Sequence, residues 1–247
     1  MEIIGIIPAR FQSIRFPGKP LVDIHGKSMI QRVYEQCLKA KLNRVVVATD
    51  DERIFDHVKS FGGEVVMTST SHQSGTDRIA EASKSLQLSE EAILINIQGD
   101  EPFINPDDII SLSNCFEDSK TCIATLVKRI TEQEVLLNNN SPKVVLGLQK
   151  QALYFSREAI PHLRGVDKKN WLSKQSYFQH VGIYAFKHAT LKVLSKLPTG
   201  VLEQSEGLEQ LRWLENGYTI QTAEITSECI AVDCPEDLKR IDKKFFS

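Results

Sequence analysis

The chain has 247 residues, of which 41% are hydrophobic and 25% are charged, and these values are typical of a globular protein. A formal net charge of −2 argues against nucleic acid and membrane surfaces as partners, because both usually require a basic face. The five cysteines include no CxxC pair. Nothing resembles a signal peptide or an apolar run of about 18 residues, the length of a membrane span. We therefore expect a cytoplasmic protein with reduced thiols.

Short apolar strands alternate with amphipathic helices through the first half of the chain. Strands are predicted over 3–7, 44–48, 64–67 and 92–97. Helices are predicted over 28–41, 52–61, 77–86 and 107–116. This alternation predicts an α/β fold with a mostly parallel, Rossmann-like sheet flanked by helices. Ligands of such a sheet bind beyond the carboxyl ends of its strands.

The second half of the chain is less regular. Strands are predicted over 121–127, 142–148, 180–186 and 218–225, and helices over 189–197, 206–216 and 235–245. Gly217 is expected to end a helix in the left-handed conformation, and the polar segment 165–174 is predicted to be a mobile loop. The simplest organisation is one domain over 1–247, with a core of 1–120 and 200–247 and an inserted subregion of about 121–199.

A basic loop follows the first strand, with the sequence PARFQSIRFPGKPL at 8–21. Its cations Arg10, Arg15 and Lys19 are suited to a triphosphate and to the charge that builds on a leaving pyrophosphate. The loop is neither a Walker A sequence nor a GxGxxG fingerprint. The alternative is a solvated basic loop without a ligand.

Carboxylates follow a buried strand and precede the last helix. Asp100 and Glu101 come just after the strand 92–97, and such a pair can hold Mg²⁺, which favours oxygen ligands. Asp233 lies before the helix that starts at Pro235 and would supply the distant second carboxylate of that site. The alternative reading of both aspartates is a helix cap, because Asp is a favoured N-cap residue.

Two further polar groups are candidates for binding. The segment HQSGTDR at 72–78 places small residues before a helix, where backbone N–H groups can face a base or a phosphate, although Ser74 or Thr76 can also act simply as the helix cap. Polar residues of the second half, each more often structural when taken singly, are Arg157, His180, Tyr184, Glu203, Glu209, Gln210 and Arg212. In particular, a histidine on an apolar strand is usually a satisfied core residue.

Together these segments resemble the 3-deoxy-manno-octulosonate cytidylyltransferases, the CMP-Kdo synthetase family, over nearly the whole chain. The similar segments are IIPARFQSIRFPGKPL at 6–21, VVVATDDERI at 45–54, HQSGTDR at 72–78, NIQGDEPFI at 96–104, LYFSREAIP at 153–161, HVGIYAF at 180–186, LEQSEGLEQLR at 202–212 and VDCPEDL at 232–238. The N-terminal loop alone would also suit other sugar nucleotidyltransferases, and the later segments narrow the resemblance to this family.

The resemblance implies a fold of the nucleotide-diphospho-sugar transferase type, with an inserted subregion for dimerisation and sugar binding. It implies transfer of CMP from CTP to the anomeric hydroxyl of Kdo, with release of pyrophosphate, for lipopolysaccharide biosynthesis. Homodimers are usual in the family, and pairing is expected through about 121–190.

The same resemblance implies roles for individual residues, position by position. Nucleotide-binding residues would be Ala9, Arg10, Arg15, Lys19, Ser74, Gly75, Thr76 and Gln98. Asp100 and Asp233 would bind Mg²⁺ and, with Arg10 and Lys19, form the catalytic group. The acidic sugar would be bound by Arg157, His180, Tyr184, Glu209 and Gln210, with Arg157 suited to its carboxylate.

Three other functions remain open at this stage. A cytidylyltransferase for amino-Kdo or for a sialic-acid-like sugar would differ only in the sugar pocket. A regulator that binds CTP without turnover would keep the basic loop, although the presence of both Asp100 and Asp233 argues against it. A Rossmann oxidoreductase is disfavoured because no GxGxxG follows the first strand.

Overall fold

The computed structural model describes residues 1–12, 16–72, 74–228 and 230–245. The chain divides into two compact units. The first contains Met1–Ile110, Lys187–Ser195 and Ser227–Ser247, and the second contains Ser111–Phe186 and Lys196–Thr226. Residues 200–226, which we assigned to the core from sequence, therefore group with the predicted inserted subregion.

The strands and helices alternate along most of the chain. The strands are β1 (Ile3–Ala9), β2 (Asp23–Ile24), β3 (Lys27–Ser28), β4 (Arg44–Thr49), β5 (Glu64–Met67), β6 (Ile93–Asn96), β7 (Ile123–Arg129), β8 (Lys143–Leu146), β9 (Gln151–Ser156), β10 (Phe178–Lys187) and β11 (Ile220–Ile225). The α-helices are α1 (Met29–Lys39), α2 (Glu52–Ser60), α3 (Gly75–Ser85), α4 (Pro106–Asn114), α5 (Gln133–Leu137), α6 (Trp171–Lys174), α7 (His188–Leu194), α8 (Val201–Glu206), α9 (Gln210–Glu215) and α10 (Pro235–Phe245). None of the described helices is long and apolar enough to span a membrane.

Parallel strands form the sheet of the first unit, in the order β5-β4-β1-β6. Ile6 of β1 lies opposite Val46 of β4 and Asn96 of β6. Most apolar side chains of these strands are buried, as is typical of parallel strands covered by helices, although Met67 of the edge strand β5 is exposed. The parallel βαβ prediction is confirmed for this unit.

The sheet of the second unit is mixed, and the prediction of a mostly parallel sheet was wrong here. Its strand order is β10-β7-β11-β9-β8. Strands β7 and β11 are parallel, whereas β10 runs antiparallel to β7, and β9 runs antiparallel to β11 and β8. Strands β8 and β9 are joined by a short turn over 147–150, and a connection of that length can join only antiparallel neighbours.

Two sequence predictions in the second unit need correction, and a third is confirmed. The segment 165–174 contains α6 rather than a mobile loop, because Trp171 is 1% exposed and its Nε1 donates a hydrogen bond to the Val166 carbonyl at 2.9 Å. The helix predicted over 206–216 begins later, as α9 at Gln210, because the preceding helix α8 ends at Glu206 and Gly207 follows it with a φ of 61°. Gly217 follows α9 with a φ of 80°, as predicted.

Candidate active site

A cleft of about 410 Å³ lies in the first unit, beyond the carboxyl ends of β1 and β6. It is lined by Pro8, Ala9, Arg10, Gln12, Lys19, Pro20, Gly75, Arg78, Gln98, Gly99 and Asp100. This is the end of a parallel sheet at which ligands bind. The lining includes six of the predicted nucleotide-binding and catalytic residues, which come from three separate segments of the chain.

The two predicted metal-binding aspartates both lie close to the ammonium group of Lys19. Its Nζ lies 2.7 Å from Asp100 Oδ2 and 3.8 Å from Asp233 Oδ1. Lys19 begins a short 3₁₀ helix and follows Gly18, which has a φ of 72° and so occupies the left-handed region that favours glycine. The Lys19 side chain is 15% exposed, so its ammonium group lies near the surface of the cleft but is largely enclosed.

These two carboxylates fit a divalent cation. Both approach one positive charge, the Lys19 ammonium, and their oxygens are the ligand type that Mg²⁺ prefers. Within the part of the chain that the structure describes, no group of three or more His, Cys, Asp or Glu side chains is arranged to hold a metal. Mg²⁺ commonly takes its remaining ligands from substrate phosphates and water, so two protein carboxylates suffice.

The backbone around Asp100 is fixed by close contacts on both sides. A Cβ atom on Gly99 would lie 2.8 Å from the Pro8 carbonyl oxygen, so this close approach of two backbone segments requires glycine. On the other side, the Val232 N–H donates to the Asp100 carbonyl at 2.9 Å. Asp100 does not cap α4, because Asn105 Oδ1 accepts from the Asp107 N–H at 3.0 Å in that role.

Glu101 does not accompany Asp100 into the cleft, contrary to the pairing expected from sequence. It is 7% exposed, and its Oε2 has no hydrogen-bond partner among the described residues. Burial raises the pKa of Glu101 to about 7, and the carboxylates of Asp100 and Asp108 act in the same direction. The pair that converges is therefore Asp100 with Asp233, from distant parts of the chain.

At the start of α10, the side chain of Asp237 holds the backbone of Asp233. The helix begins at Pro235, and Asp237 Oδ2 accepts from the backbone N–H groups of Cys234 at 3.1 Å and Asp233 at 2.9 Å. This is the return contact of a capping box, made by the third residue of the helix. Next to Asp233, Val232 is fully buried in an apolar cluster against which Phe103 packs.

Phe11 makes two contacts that hold the basic loop in place. The Gly18 N–H donates to the Phe11 carbonyl at 2.9 Å. The guanidinium carbon of Arg53 lies 3.3 Å from the centre of the Phe11 ring, within the range of a cation–π contact. Arg10 is exposed at the cleft, whereas Arg15, the third predicted cation, lies outside the described residues.

Gly75, the first residue of α3, lines the cleft. Ser74 Oγ accepts from the Asp77 N–H at 3.1 Å, so Ser74 rather than Thr76 is the cap, and Thr76 is buried. Arg78 is 1% exposed and forms an ion pair with Asp50 Oδ2 at 2.7 Å. The segment predicted to approach the base and ribose is thus anchored to the end of β4.

All five residues predicted to bind the acidic sugar lie in the second unit. His180, Tyr184 and Gln210 are buried, and Arg157 and Glu209 are partly buried. The rings of His180 and Tyr184 lie 5.2 Å apart. Tyr184 Oη and Gln210 Nε2 have no hydrogen-bond partner among the described residues. Buried polar atoms are normally paired, so these two are candidates for contact with a ligand.

His180 and Tyr184 are neutral in the folded protein. Burial lowers the pKa of His180 to about 3. Thr125 Oγ1 donates to the Ile183 carbonyl at 2.8 Å and lies 3.0 Å from His180 Nε2, so it accepts the Nε2 proton. Burial raises the pKa of Tyr184 well above its ordinary value, the Glu209 carboxylate acts in the same direction, and the neighbouring Thr125 hydroxyl acts in the opposite direction. These side chains can form hydrogen bonds with a sugar but carry no charge at neutral pH.

Glu203 and Arg212, singled out from the sequence, pair with each other. Arg212 Nε donates to Glu203 Oε2 at 2.6 Å, and Arg212 Nη2 lies 2.5 Å from Glu203 Oε1. Arg212 Nη1 also donates to the Leu197 carbonyl at 3.1 Å. This ion pair joins α8 to α9, which is a structural role.

The sequence reading assigned no role to several residues around these sites. Gln12, Pro20 and Arg78 line the cleft, and the position of Arg78 in the quoted segment 72–78 was the available signal. Lys143 and Glu206 both bind the backbone of Arg157. A lysine inside the apolar strand predicted over 142–148 was a signal for the first, whereas nothing in the sequence pattern distinguished Glu206 from a solvated glutamate.

Comparison with solved structures defines the class of protein. Solved in complex with CTP, a CMP:2-keto-3-deoxy-manno-octonic acid synthetase superimposes with a TM-score of 0.91 at 41% identity, and 98% of each chain is covered. A 4-diphosphocytidyl-2C-methyl-D-erythritol synthase from Anaerococcus prevotii has a TM-score of 0.61 at 11% identity, which shows the fold alone. The fold is the mixed α/β fold of nucleotidyltransferases.

Sequence comparison gives the family within that class. The family model described as "Cytidylyltransferase" matches residues 4–225. The 3-deoxy-manno-octulosonate cytidylyltransferase of Parabacteroides distasonis is 51% identical over 244 residues, which cover 97% of this chain and 96% of the relative. That of Bacteroides thetaiotaomicron is 52% identical over 246 residues, or 98% of each chain. The chain belongs to the 3-deoxy-manno-octulosonate cytidylyltransferase family.

Proposed function

We propose that this chain transfers CMP from CTP to the anomeric hydroxyl of Kdo, giving CMP-Kdo and pyrophosphate for lipopolysaccharide biosynthesis. The observation that carries the proposal is the meeting of Asp100 and Asp233 at Lys19, beside a cleft at the carboxyl ends of parallel strands. Two carboxylates and a lysine at that position suit a nucleoside triphosphate with its counter-ion.

The charges of the cleft address the main electrostatic cost of the reaction. The attacking acidic sugar and the triphosphate are both anionic, so their approach is opposed by Coulomb repulsion. Arg10, Arg15 and Lys19 offset that repulsion and stabilise the negative charge that develops on the departing pyrophosphate. Ser74, Gly75, Thr76 and Gln98, together with Ala9, bind the base and ribose, in part through backbone groups at the start of α3.

Asp100 and Asp233 hold Mg²⁺ in this proposal. The ion, when bound, supplies positive charge to the phosphate oxygens and orients the triphosphate. The carboxylates are suited to the task because they carry two negative charges against the single positive charge of Lys19, so a net negative charge remains for a cation. Gly99 supports the same arrangement, since it lets the segment that carries Asp100 approach the end of β1.

Kdo is bound by residues of the second unit. Arg157 binds its carboxylate, while His180, Tyr184, Glu209 and Gln210 bind its hydroxyl groups. The unpaired Tyr184 Oη and Gln210 Nε2 support this assignment, because a sugar hydroxyl would satisfy each of them. A site whose polar atoms are paired only by the correct substrate discriminates against analogues that lack the matching group.

The proposed enzyme is a cytoplasmic homodimer. Cys37, Cys115, Cys122 and Cys234 are free thiols, which supports a reducing compartment. Leu148 and Leu153, at the turn between β8 and β9 and on β9, are exposed and support pairing through the second unit, where the sequence resemblance implies it. Light scattering of the purified chain tests the dimer directly.

The decisive assay measures pyrophosphate release with CTP, Mg²⁺ and Kdo. We expect turnover with CTP and a large loss when UTP or ATP replaces it. Parallel reactions with 8-amino-Kdo and with a sialic acid test the alternative sugars. Preference for either of these over Kdo would replace the proposed substrate, and absence of pyrophosphate release with every acid would refute the cytidylyltransferase activity.

A further inference from the structure

Lys143 is a fully buried lysine whose ammonium group is held by backbone oxygens. It begins β8 and is 0% exposed. Its Nζ donates to the carbonyls of Asn138 at 2.9 Å, Ser141 at 2.8 Å and Arg157 at 2.6 Å. Burial lowers the pKa of Lys143, and the carboxylates of Glu158 and Glu206 act in the opposite direction. Placing a charge in the interior costs free energy that an apolar residue would avoid, so a specific geometric role is indicated.

Arg157 is held at both of its backbone groups and along its side chain. Its carbonyl accepts from Lys143, and its N–H donates to Glu206 Oε2 at 2.9 Å. Its guanidinium donates from Nε to the Glu206 carbonyl at 2.6 Å, from Nη1 to the Asn139 carbonyl at 3.1 Å and from Nη2 to the Gly207 carbonyl at 3.2 Å. Three carbonyls thus fix the plane of the guanidinium.

Lys143 and Arg157 bind the same turn from two directions. Lys143 donates to the carbonyls of Asn138 and Ser141 in the turn 138–141. Arg157 donates to the carbonyl of Asn139, which lies between them in that turn. Without the ammonium group, the turn and the Arg157 backbone would lose their common anchor. The guanidinium would then lose the fixed position of one of its three acceptors.

The remaining donors of Arg157 are suited to a carboxylate. A guanidinium has five N–H groups, and the contacts among the described residues use one on each nitrogen. One N–H on Nη1 and one on Nη2 are therefore available for a ligand. Two donors in a rigid planar group match the two oxygens of a carboxylate.

We propose that Lys143 is a positioning residue for recognition of the sugar carboxylate, acting through the turn 138–141 and the backbone of Arg157. The inference rests on the proposed function, because it takes an acidic sugar as the ligand of Arg157. Glu206 supports the same geometry from the other side, through the Arg157 N–H and through Ser156 Oγ at 2.6 Å.

The test compares Lys143→Met with the wild-type full-length chain in the pyrophosphate-release assay. Kdo and its C1 carboxamide are the sugar substrates, because the amide removes the charge that Arg157 would bind. Lys143→Met is expected to raise KM for Kdo by about tenfold or more, the effect of a weakened charge-assisted contact. KM for CTP should stay at the wild-type value, and the preference for Kdo over the carboxamide should shrink by the same factor as KM rises.

Two further variants keep the test decisive. Lys174→Met, at an exposed lysine of the same unit, should leave both KM values unchanged. Should circular dichroism reveal that Lys143→Met does not fold, Glu206→Gln takes its place, with an expected rise of about threefold in KM for Kdo alone.

Three results would overturn the inference. Unchanged KM for Kdo with an unchanged preference for the carboxylate would mean that Lys143 has no part in recognition. A parallel rise in both KM values would make its role one of general stability. A wild-type chain that releases no pyrophosphate with Kdo would refute the proposed function itself, and the positioning role with it.

Discussion

The two units hold their candidate binding residues in different environments. In the first unit the side chains of Asp100 and Asp233 are 27% and 48% exposed, and both lie near the Lys19 ammonium. In the second unit Tyr184 and Gln210 are 7% and 4% exposed, neutral, and each has a polar atom without a partner among the described residues. One site presents opposite charges that contact each other before a substrate arrives, and the other presents buried hydrogen-bonding groups that a substrate would complete.

This difference separates the two tasks of a transferase that joins two anions. Charges in a partly hydrated cleft can exchange partners as phosphates bind, because water screens each change. Buried neutral groups are selective instead, since any substrate that fails to pair them leaves them unsatisfied. Variants in the first unit should therefore alter the chemical step most, whereas variants in the second should alter sugar affinity and stability.

The largest effect is expected for Asp100→Asn. The amide keeps the shape of the side chain but removes the negative charge that faces Lys19, so kcat should fall by about 10²-fold or more, as with other lost electrostatic groups. Initial rates of pyrophosphate release at saturating CTP, Kdo and Mg²⁺ measure the loss. Circular dichroism should remain that of the wild type, because Asp100 is partly exposed and does not cap a helix.

Asp56→Asn is the matched control, because Asp56 is exposed on α2 of the same unit. It should retain wild-type rates. Near-normal turnover of folded Asp100→Asn would mean that Asp100 does not bind the metal. The proposed difference between a charged site in the first unit and a neutral site in the second would then lose its support.

The second effect concerns the pH dependence of stability in the second unit. Burial keeps His180 neutral when folded, with its pKa lowered from 6.5 to about 3. Below pH 6.5 the unfolded chain therefore binds a proton that the folded chain does not, so the free energy of unfolding falls as the pH falls through this window. One proton corresponds to about 1.4 kcal/mol per pH unit. His180→Gln should be less sensitive to pH by that amount in urea unfolding between pH 6 and pH 4.5.

His162→Gln provides the comparison, because His162 belongs to the same unit but is exposed. Its urea unfolding over the same pH range shows the effect of removing an exposed histidine from this unit. An identical slope for wild type and His180→Gln would show that His180 takes up its proton in the folded state, and the second site would then carry charge at acidic pH.

The extent to which the fold was predictable also differs between the units. In the first unit each strand is a short apolar run and each helix has a regular period, so β1, β4, β5 and β6 lie within a few residues of the predicted strands. In the second unit β9 was missed, although Gln151–Ser156 contains the apolar run 152–155, which follows closely on the strand predicted over 142–148. The pairing of β9 with β8 and β11 depends on tertiary contacts that no local pattern records.

The residues of the candidate site were also partly predictable from the sequence and partly not. Asp100 and Asp233 were singled out from strand ends and from the family resemblance, and their side chains do converge on Lys19. The burial of Glu101 was not foreseeable, because adjacent residues after a strand can face opposite ways. The support of Arg157 by Lys143 and Glu206 was also missed, since it involves contacts among three distant segments.

The smallest effect, and the sharpest test of the comparison, is expected for Tyr184→Phe. This change removes only Tyr184 Oη, which is buried without a partner among the described residues. The free energy of unfolding should stay constant or rise by up to about 1 kcal/mol, because an unsatisfied polar group is replaced by an apolar one. KM for Kdo should rise by about tenfold, because a sugar hydroxyl would lose its partner.

Tyr177→Phe is the matched control for stability. Tyr177 is 1% exposed, but its hydroxyl donates to the Pro161 carbonyl at 2.8 Å. Its loss should lower the free energy of unfolding by about 1 kcal/mol, the net value of a hydrogen bond, without a change in KM for Kdo. Opposite effects of the two substitutions on stability would show that Tyr184 is kept for a ligand at a cost to the folded state. Equal destabilisation by both would mean that Tyr184 Oη is satisfied within the protein, and the buried site would then lose its main physical argument for sugar binding.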